Sequence, residues 1–143
     1  MKTQKEKKEQ KQKLYWNKKS KGFNLITQLL NPETLKKIKC EQIKNQIKTE
    51  KNEITRINLA KDLLKFEPES VEALIVLGNE SNLPTEALKY FKKALDIAKN
   101  FCKDCFNKFE GLFWLIPETQ NFMKAKYAYA WCMFKRIQFI YEN

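Results

Sequence analysis

Apolar residues recur every three to four positions along almost the whole chain, and this spacing constrains the fold more than any other feature. No segment alternates apolar and polar residues over the length of a strand, and no Asn-Gly or Asp-Gly hairpin pair occurs. The spacing predicts a short helix over 22–30, with Phe23, Ile26, Leu29 and Leu30 on one side. Asn31-Pro32-Glu33 then reads as a cap, a proline at the first helical position and an acid in the first turn. The helix it opens runs to Lys48 with Leu35, Ile38, Ile43 and Ile47 as a narrow apolar stripe. A third helix spans 52–66, with Ile54, Ile57, Ala60, Leu63 and Leu64 expected inward, and Pro68 stops it. Ser70 caps a fourth, 71–80, carrying Ala73, Leu74 and Leu77. Pro84 opens a fifth, which runs to Phe101 with Ala87, Leu88, Phe91, Ala94, Leu95 and Ala98. A sixth is expected over 105–115, and a last one over 118–141 after Pro117. The fold class is therefore all-α.

Composition excludes more than it establishes. A chain of 143 residues fits one domain. With no histidine, Ser-His-Asp and Cys-His mechanisms and His-ligated metals are out. Three isolated glycines, Gly22, Gly78 and Gly111, cannot build a phosphate-binding loop or a dinucleotide fingerprint. The acidic residues are scattered over helix surfaces with no motif around any pair. No enzyme and no cofactor is expected. The aromatic share of 13% is too high for a disordered chain.

The net charge of +11 is unevenly spread. Residues 1–21 hold nine lysines against Glu6 and Glu9, so about two-thirds of the surplus lies on one-seventh of the length. A stretch so poor in apolar residues cannot bury enough to offset its ordering entropy. The expected division is a basic tail, 1–21, disordered or transiently helical unless bound, and a helical domain, 22–143. Lys5, Lys7, Lys8, Lys11, Lys13, Lys18, Lys19 and Lys21 would serve either as a solubilising extension or as an electrostatic arm for nucleic acid or an acidic protein face. Tyr15-Trp16, within the basic stretch, reads as a docking point for the tail or as a base-stacking pair. No apolar h-region follows the basic start, which argues against a secretory signal. The longest apolar runs, 112–116 and 128–134, fall far short of the ~20 residues a membrane span needs. An intracellular protein with no membrane association is expected, in nucleus or cytoplasm. Its cysteines, Cys40, Cys102, Cys105 and Cys132, read as reduced and partly buried thiols. The lone C-x-x-C at 102–105 offers two of the four ligands that zinc normally takes, and no metal site is expected.

Helices of this length joined by short turns suggest antiparallel pairs stacked as a short α-solenoid, 22–50 forming its N-terminal helices and 52–143 the remainder. One repeat can be traced closely: Leu74, then Leu77-Gly78, a short turn, then Ala87, Phe91 and Ala94. This arrangement resembles the tetratricopeptide repeat. The resemblance implies that Gly78 and Ala87 are small where the two helices of a pair cross, and that Phe91 and Ala94 receive the next pair. Ala60, Leu63, Leu64 and Pro68 match the second helix and closing proline of a preceding repeat. The inter-helix turn is about three residues shorter than usual, and Ser81 stands where an aromatic is common. Phe113-Trp114 leading into Glu118-Thr119 and then Phe122-Met123-Lys124-Ala125 is similar to a segment of small microbial tetratricopeptide-repeat proteins, with Pro117, Gln120 and Asn121 departing from it. The resemblance spans about residues 52–140, implies a fold and carries no catalytic residue.

The last helix is apolar around almost its whole circumference, from Phe122 through Tyr127, Trp131, Phe134 and Phe139 to Ile140 and Tyr141. Such a helix is buried on all sides or coated by something. Terminal repeats of an array need a polar outer face, and here the sequence ends at Asn143 after the first helix of what would be the next pair. Either the N-terminal helices fold back over this surface, or another chain covers it. In the second case Tyr127, Trp131, Phe134, Phe139, Ile140 and Tyr141 would anchor a protein partner or a second copy. A groove for acidic peptide tails would need clustered basic and Asn side chains; Asn79, Lys89, Lys92 and Lys93 are candidates, though such residues usually form a solvated face. The leading expectation is a non-catalytic interaction subunit of a larger assembly. The alternative is an accessory nucleic-acid-binding subunit whose lysine arm contacts phosphates without reading sequence.

Overall fold

The structure, a computed structural model, describes residue 4, residues 6–14 and residues 31–143. The segment 22–30, Tyr15-Trp16, Lys5, Lys18, Lys19 and Lys21 lie outside the described residues. Chain contacts divide the molecule into two units, Met1–Lys39 and Cys40–Asn143. In the first unit, residues 6–14 are helical, with every side chain exposed.

Helix α1, Pro32–Thr49, starts where Asn31 predicts: the Glu33 backbone N–H donates to Asn31 Oδ1 at 2.7 Å. Its apolar stripe is shorter than the spacing suggests. Cys40, Ile43 and Ile47 are buried, whereas Ile38 is 43% exposed. Helix α2, Glu53–Phe66, is capped by Asn52, whose Oδ1 accepts from the Thr55 N–H at 3.0 Å. Its buried stripe is Ala60 and Leu63, with Ile57 and Leu64 packed alongside. Ile54 belongs elsewhere: it sits in the first turn and is 71% exposed, before the helix reaches its neighbours. Helix α3, Val71–Asn79, begins at buried Ser70, whose Oγ accepts from the Ala73 N–H at 3.4 Å. It ends at Glu80, and the Ser81 hydroxyl donates to the Leu77 carbonyl at 2.7 Å. Ser81 therefore satisfies a carbonyl of the last turn of α3.

Helix α4, Pro84–Cys102, and helix α5, Pro117–Glu142, both open on proline, whose fixed φ suits the first helical position. The expected helix over 105–115 does not form. A 3-10 turn, Lys103–Cys105, is followed by turns up to Ile116. Two features stop a helix there. Gly111 adopts φ +81°, outside helical geometry. The Thr119 hydroxyl is within hydrogen-bond reach of the carbonyls of Phe113 and Ile116 at 2.6 and 3.0 Å, which folds the chain onto the start of α5. Phe106 and Phe113 of this segment instead meet Phe122 of α5 edge to face, with centroids 4.9–6.4 Å apart.

No strand occurs among the described residues. From α2 onward each helix packs on its sequence neighbour, most extensively α4 on α5, and α3 also touches α5. The core forms three clusters along this row. The first joins α1, α2 and α3 through Cys40, Ile43, Leu63 and Leu77. The second joins α3, α4 and α5 through Leu74, Ala94, Ala98, Cys102, Phe122 and Ala125. The third joins Ala87 and Phe91 of α4 to Cys132 of α5. Gly78 has a packing reason: a Cβ there would lie 2.7 Å from Phe91 Cδ1, inside the ring's contact distance. Only glycine lets the Phe91 ring lie against the α3 backbone.

Three ion pairs, two of them from Lys44, lie at the α1–α3 end. Lys44 Nζ lies 3.2 Å from Glu67 and 3.3 Å from Glu41, and Arg56 reaches Glu80 at 2.6 Å. Burial works to lower the Lys44 pKa, but its bond to Glu67 and the charges of Glu67 and Glu72 outweigh it, so the ammonium is held above the ordinary lysine value.

Candidate protein-interaction surface

Helix α5 is anchored by one stripe only. Thr119, Phe122, Ala125 and Cys132 are buried, at intervals that keep them on one face. Cys132 is the last of them, and its thiol reaches the Pro84 carbonyl at 3.6 Å. Beyond it the helix leaves the packed row: every residue from Phe134 to Asn143 is exposed. The six expected anchor residues are brought together on this element. Tyr127, Trp131, Phe134, Phe139, Ile140 and Tyr141 are all exposed, from 49% at Trp131 to 86% at Tyr141. Ile137, 49% exposed, belongs with them and was not singled out by the sequence reading. Trp131 and Phe134 stack at 5.7 Å with their planes 22° apart, and Lys135 Nζ sits 5.5 Å from the Trp131 centroid. Their mutual contact holds two large aromatics in place while leaving about half of each in water.

A groove of about 410 Å³ runs beside this stripe, between the α3–α4 turn and α5. Phe91 and Ile75 are among its lining residues, as are Trp114, Tyr127 and Trp131, and Lys124 and Lys135 contribute the cations. Small residues where the helices cross, Gly78, Ala87 and Ala128, leave it open. Of the residues considered for an acidic-peptide groove, Asn79 lines it. Lys89, Lys92 and Lys93 are exposed on α4 and do not. Leu74, Leu77, Gly78, Ala87, Phe91 and Ala94, expected to pack a repeat, are all buried. Of the lysine arm, Lys7, Lys8, Lys11 and Lys13 are exposed on helical residues 6–14.

The cysteines are distributed over all three core clusters: Cys40 in the first, Cys102 with Cys105 beside it in the second, and Cys132 in the third. Burial pushes the Cys102 thiol up, and neighbouring Cys105 adds to this. Burial also pushes Cys132 up, against the opposing pull of Arg136 and Lys135. Both are therefore thiols at neutral pH, where they act as small apolar fillers. Among the described residues no three His, Cys, Asp or Glu side chains gather as metal ligands, and no helix is long and apolar enough to cross a membrane.

Comparison with protein-family models, with curated proteins and with solved structures gives no match for this chain.

Proposed function

We propose that this chain is a non-catalytic protein-interaction subunit, built as a short tetratricopeptide-like stack of helix pairs and engaging its partner through α5. One observation carries the reading. From Trp131 onward, α5 presents Trp131, Phe134, Ile137, Phe139, Ile140 and Tyr141 to water. Contiguous exposed apolar surface of this kind marks interaction sites, and aromatic anchors supply most of the binding energy at interfaces. The packing order supports the stack. From α2 onward each helix packs on the next, α3 also touches α5, and Ala94 and Phe91 share clusters with residues of α5, an arrangement in keeping with the repeat reading.

The protein alone, at micromolar concentration, should enhance the emission of an anilinonaphthalene sulfonate dye on the order of several-fold. It should also form non-specific aggregates as its concentration rises, without a defined dimer. Replacing Trp131 and Phe134 together with serine should remove most of the dye response without lowering the melting temperature. A monodisperse monomer that leaves the dye dark contradicts the reading.

A further inference from the structure

We propose that the occupant of the α5 surface is an acidic, amphipathic segment of a partner protein, its carboxylates meeting lysines along a continuous trough and a bulky apolar side chain seated beside Trp131. This deepens the interaction reading above and rests on it.

The trough is longer than the groove already described. A second groove, of about 360 Å³, lies toward α1 and shares Ile75 and Lys124 with the first. Ile75 of α3 and Lys124 of α5 therefore border both, and each groove falls within the size range of ordinary ligand sites. Their characters differ. The Trp131 end is apolar and floored by Phe91. The α1 end is charged, with Lys44, Lys48, Arg56 and Lys124 against Glu50 and Glu72.

The state of each charge decides what the trough attracts. Arg56 is committed to Glu80, and Lys44 to Glu67 and Glu41. Glu72 belongs to the field that stabilises Lys44. Glu50 accepts the backbone N–H groups of Lys51 and Asn52 at 2.9 and 2.8 Å. Lys48, Lys124 and Lys135 form no ion pair among the described residues. Glu72 makes no ion pair among the described residues either, and its buried Oε2 has no hydrogen-bond partner there. The uncommitted charges are therefore three lysines against one glutamate, and the lysines are strung along the length of the trough. An occupant with carboxylates spaced along it completes them, and one apolar side chain fills the aromatic end.

Other occupants fit less well. A second copy would bring Lys124, Lys126, Lys135 and Arg136 of one α5 toward the same residues of the other, against Glu118 and Glu142 as the acidic residues of that helix, in a chain already at +11. A flat anionic bilayer would match the lysines and aromatics, but it cannot enter a recess between helices.

The test uses the full chain as bait for a displayed library of random 16-residue peptides. Enriched peptides should carry a net negative charge and at least one aromatic or long aliphatic residue. A labelled member of that set should lose on the order of tenfold or more in affinity with Trp131→Ala, and likewise with Lys124→Glu plus Lys135→Glu. The charge-reversed protein should regain affinity for the same peptide with its acids changed to lysine. Unchanged circular dichroism melts keep these exposed substitutions readable as binding effects. Neutral or basic peptides that still depend on Trp131 would overturn the acidic occupant and leave the interaction reading standing. Three results overturn both: no enrichment, enriched peptides indifferent to Trp131→Ala, and binding to phosphatidylserine vesicles in place of peptide. A stable dimer dissolved by Trp131→Ala would overturn the acidic occupant in favour of a second copy.

Discussion

Leu74→Ala should lower the unfolding free energy by about 3–4 kcal/mol, in the upper part of the range for buried leucine truncations. The reason lies in what surrounds it. Leu74 is 1% exposed, and its cluster is otherwise rich in small side chains: Ala94, Ala98, Cys102 and Ala125. Alanines on adjoining helices bring the backbones close, and the larger neighbours Phe122, Leu64 and Met123 are themselves held by their own packing. The cavity left by truncation therefore stays largely open, and its full cost is felt. Ile54→Ala is the matched contrast. The sequence spacing groups Ile54 with the core, yet it is 71% exposed, so its truncation should change stability by no more than about 0.5 kcal/mol. Urea titrations of both variants measure the difference. Equal shifts would mean that the buried stripes of α2 and α3 are wrongly assigned.

Gly78→Leu is the second large effect. The missing Cβ at Gly78 is the space that the Phe91 ring occupies, and Phe91 is itself 5% exposed between α3 and α5. A leucine must displace that ring, so overpacking should cost about 3 kcal/mol. Even Gly78→Ala should lose stability, although alanine in a helix interior normally gains about 1 kcal/mol over glycine. The signature is coupling. In a Phe91→Ala background the space is vacated, and the cost of Gly78→Leu should fall by about 2 kcal/mol in a double-mutant cycle. Strict additivity would show that glycine is present for some reason other than the ring.

Much of the fold could be read from local chemistry. Asn31, Asn52 and Ser70 announce helix starts through side-chain acceptors, Pro84 and Pro117 do so through fixed φ, and α1 to α5 begin where these residues stand. Cues that depend on tertiary contact were harder to read. Phe106 and Phe113 are seven residues apart, a helical interval, yet they meet in an aromatic cluster under a loop. What breaks the helix is Gly111 together with Thr119, a residue six positions beyond Phe113 that captures its carbonyl. Cys40 is buried while Ile38 is not, because the neighbours that α1 meets set its inward face and residue hydrophobicity does not. The candidate surface divides the same way. Its aromatic half is one stretch of α5, legible as a helix with too many apolar sides. Its charged half draws Lys48 from α1 and Lys124 from α5, and no sequence interval relates them. Which lysines are free depends on Glu67 and Glu80 claiming Lys44 and Arg56.

The central claim is that the outer face of α5 meets another protein, and a photo-crosslinker placed on that face tests it most directly. Benzoylphenylalanine at position 134, where Phe134 is 56% exposed, reports what touches α5 in living cells of the native source. The same probe at position 54, where Ile54 is 71% exposed on α2, reports chance encounters of a comparably open apolar site. Irradiation should give a discrete heavier adduct from position 134 that is missing from position 54 and is lost when Trp131→Ala is added. Identical patterns from the two positions, or uncrosslinked monomer alone from position 134, would contradict the claim.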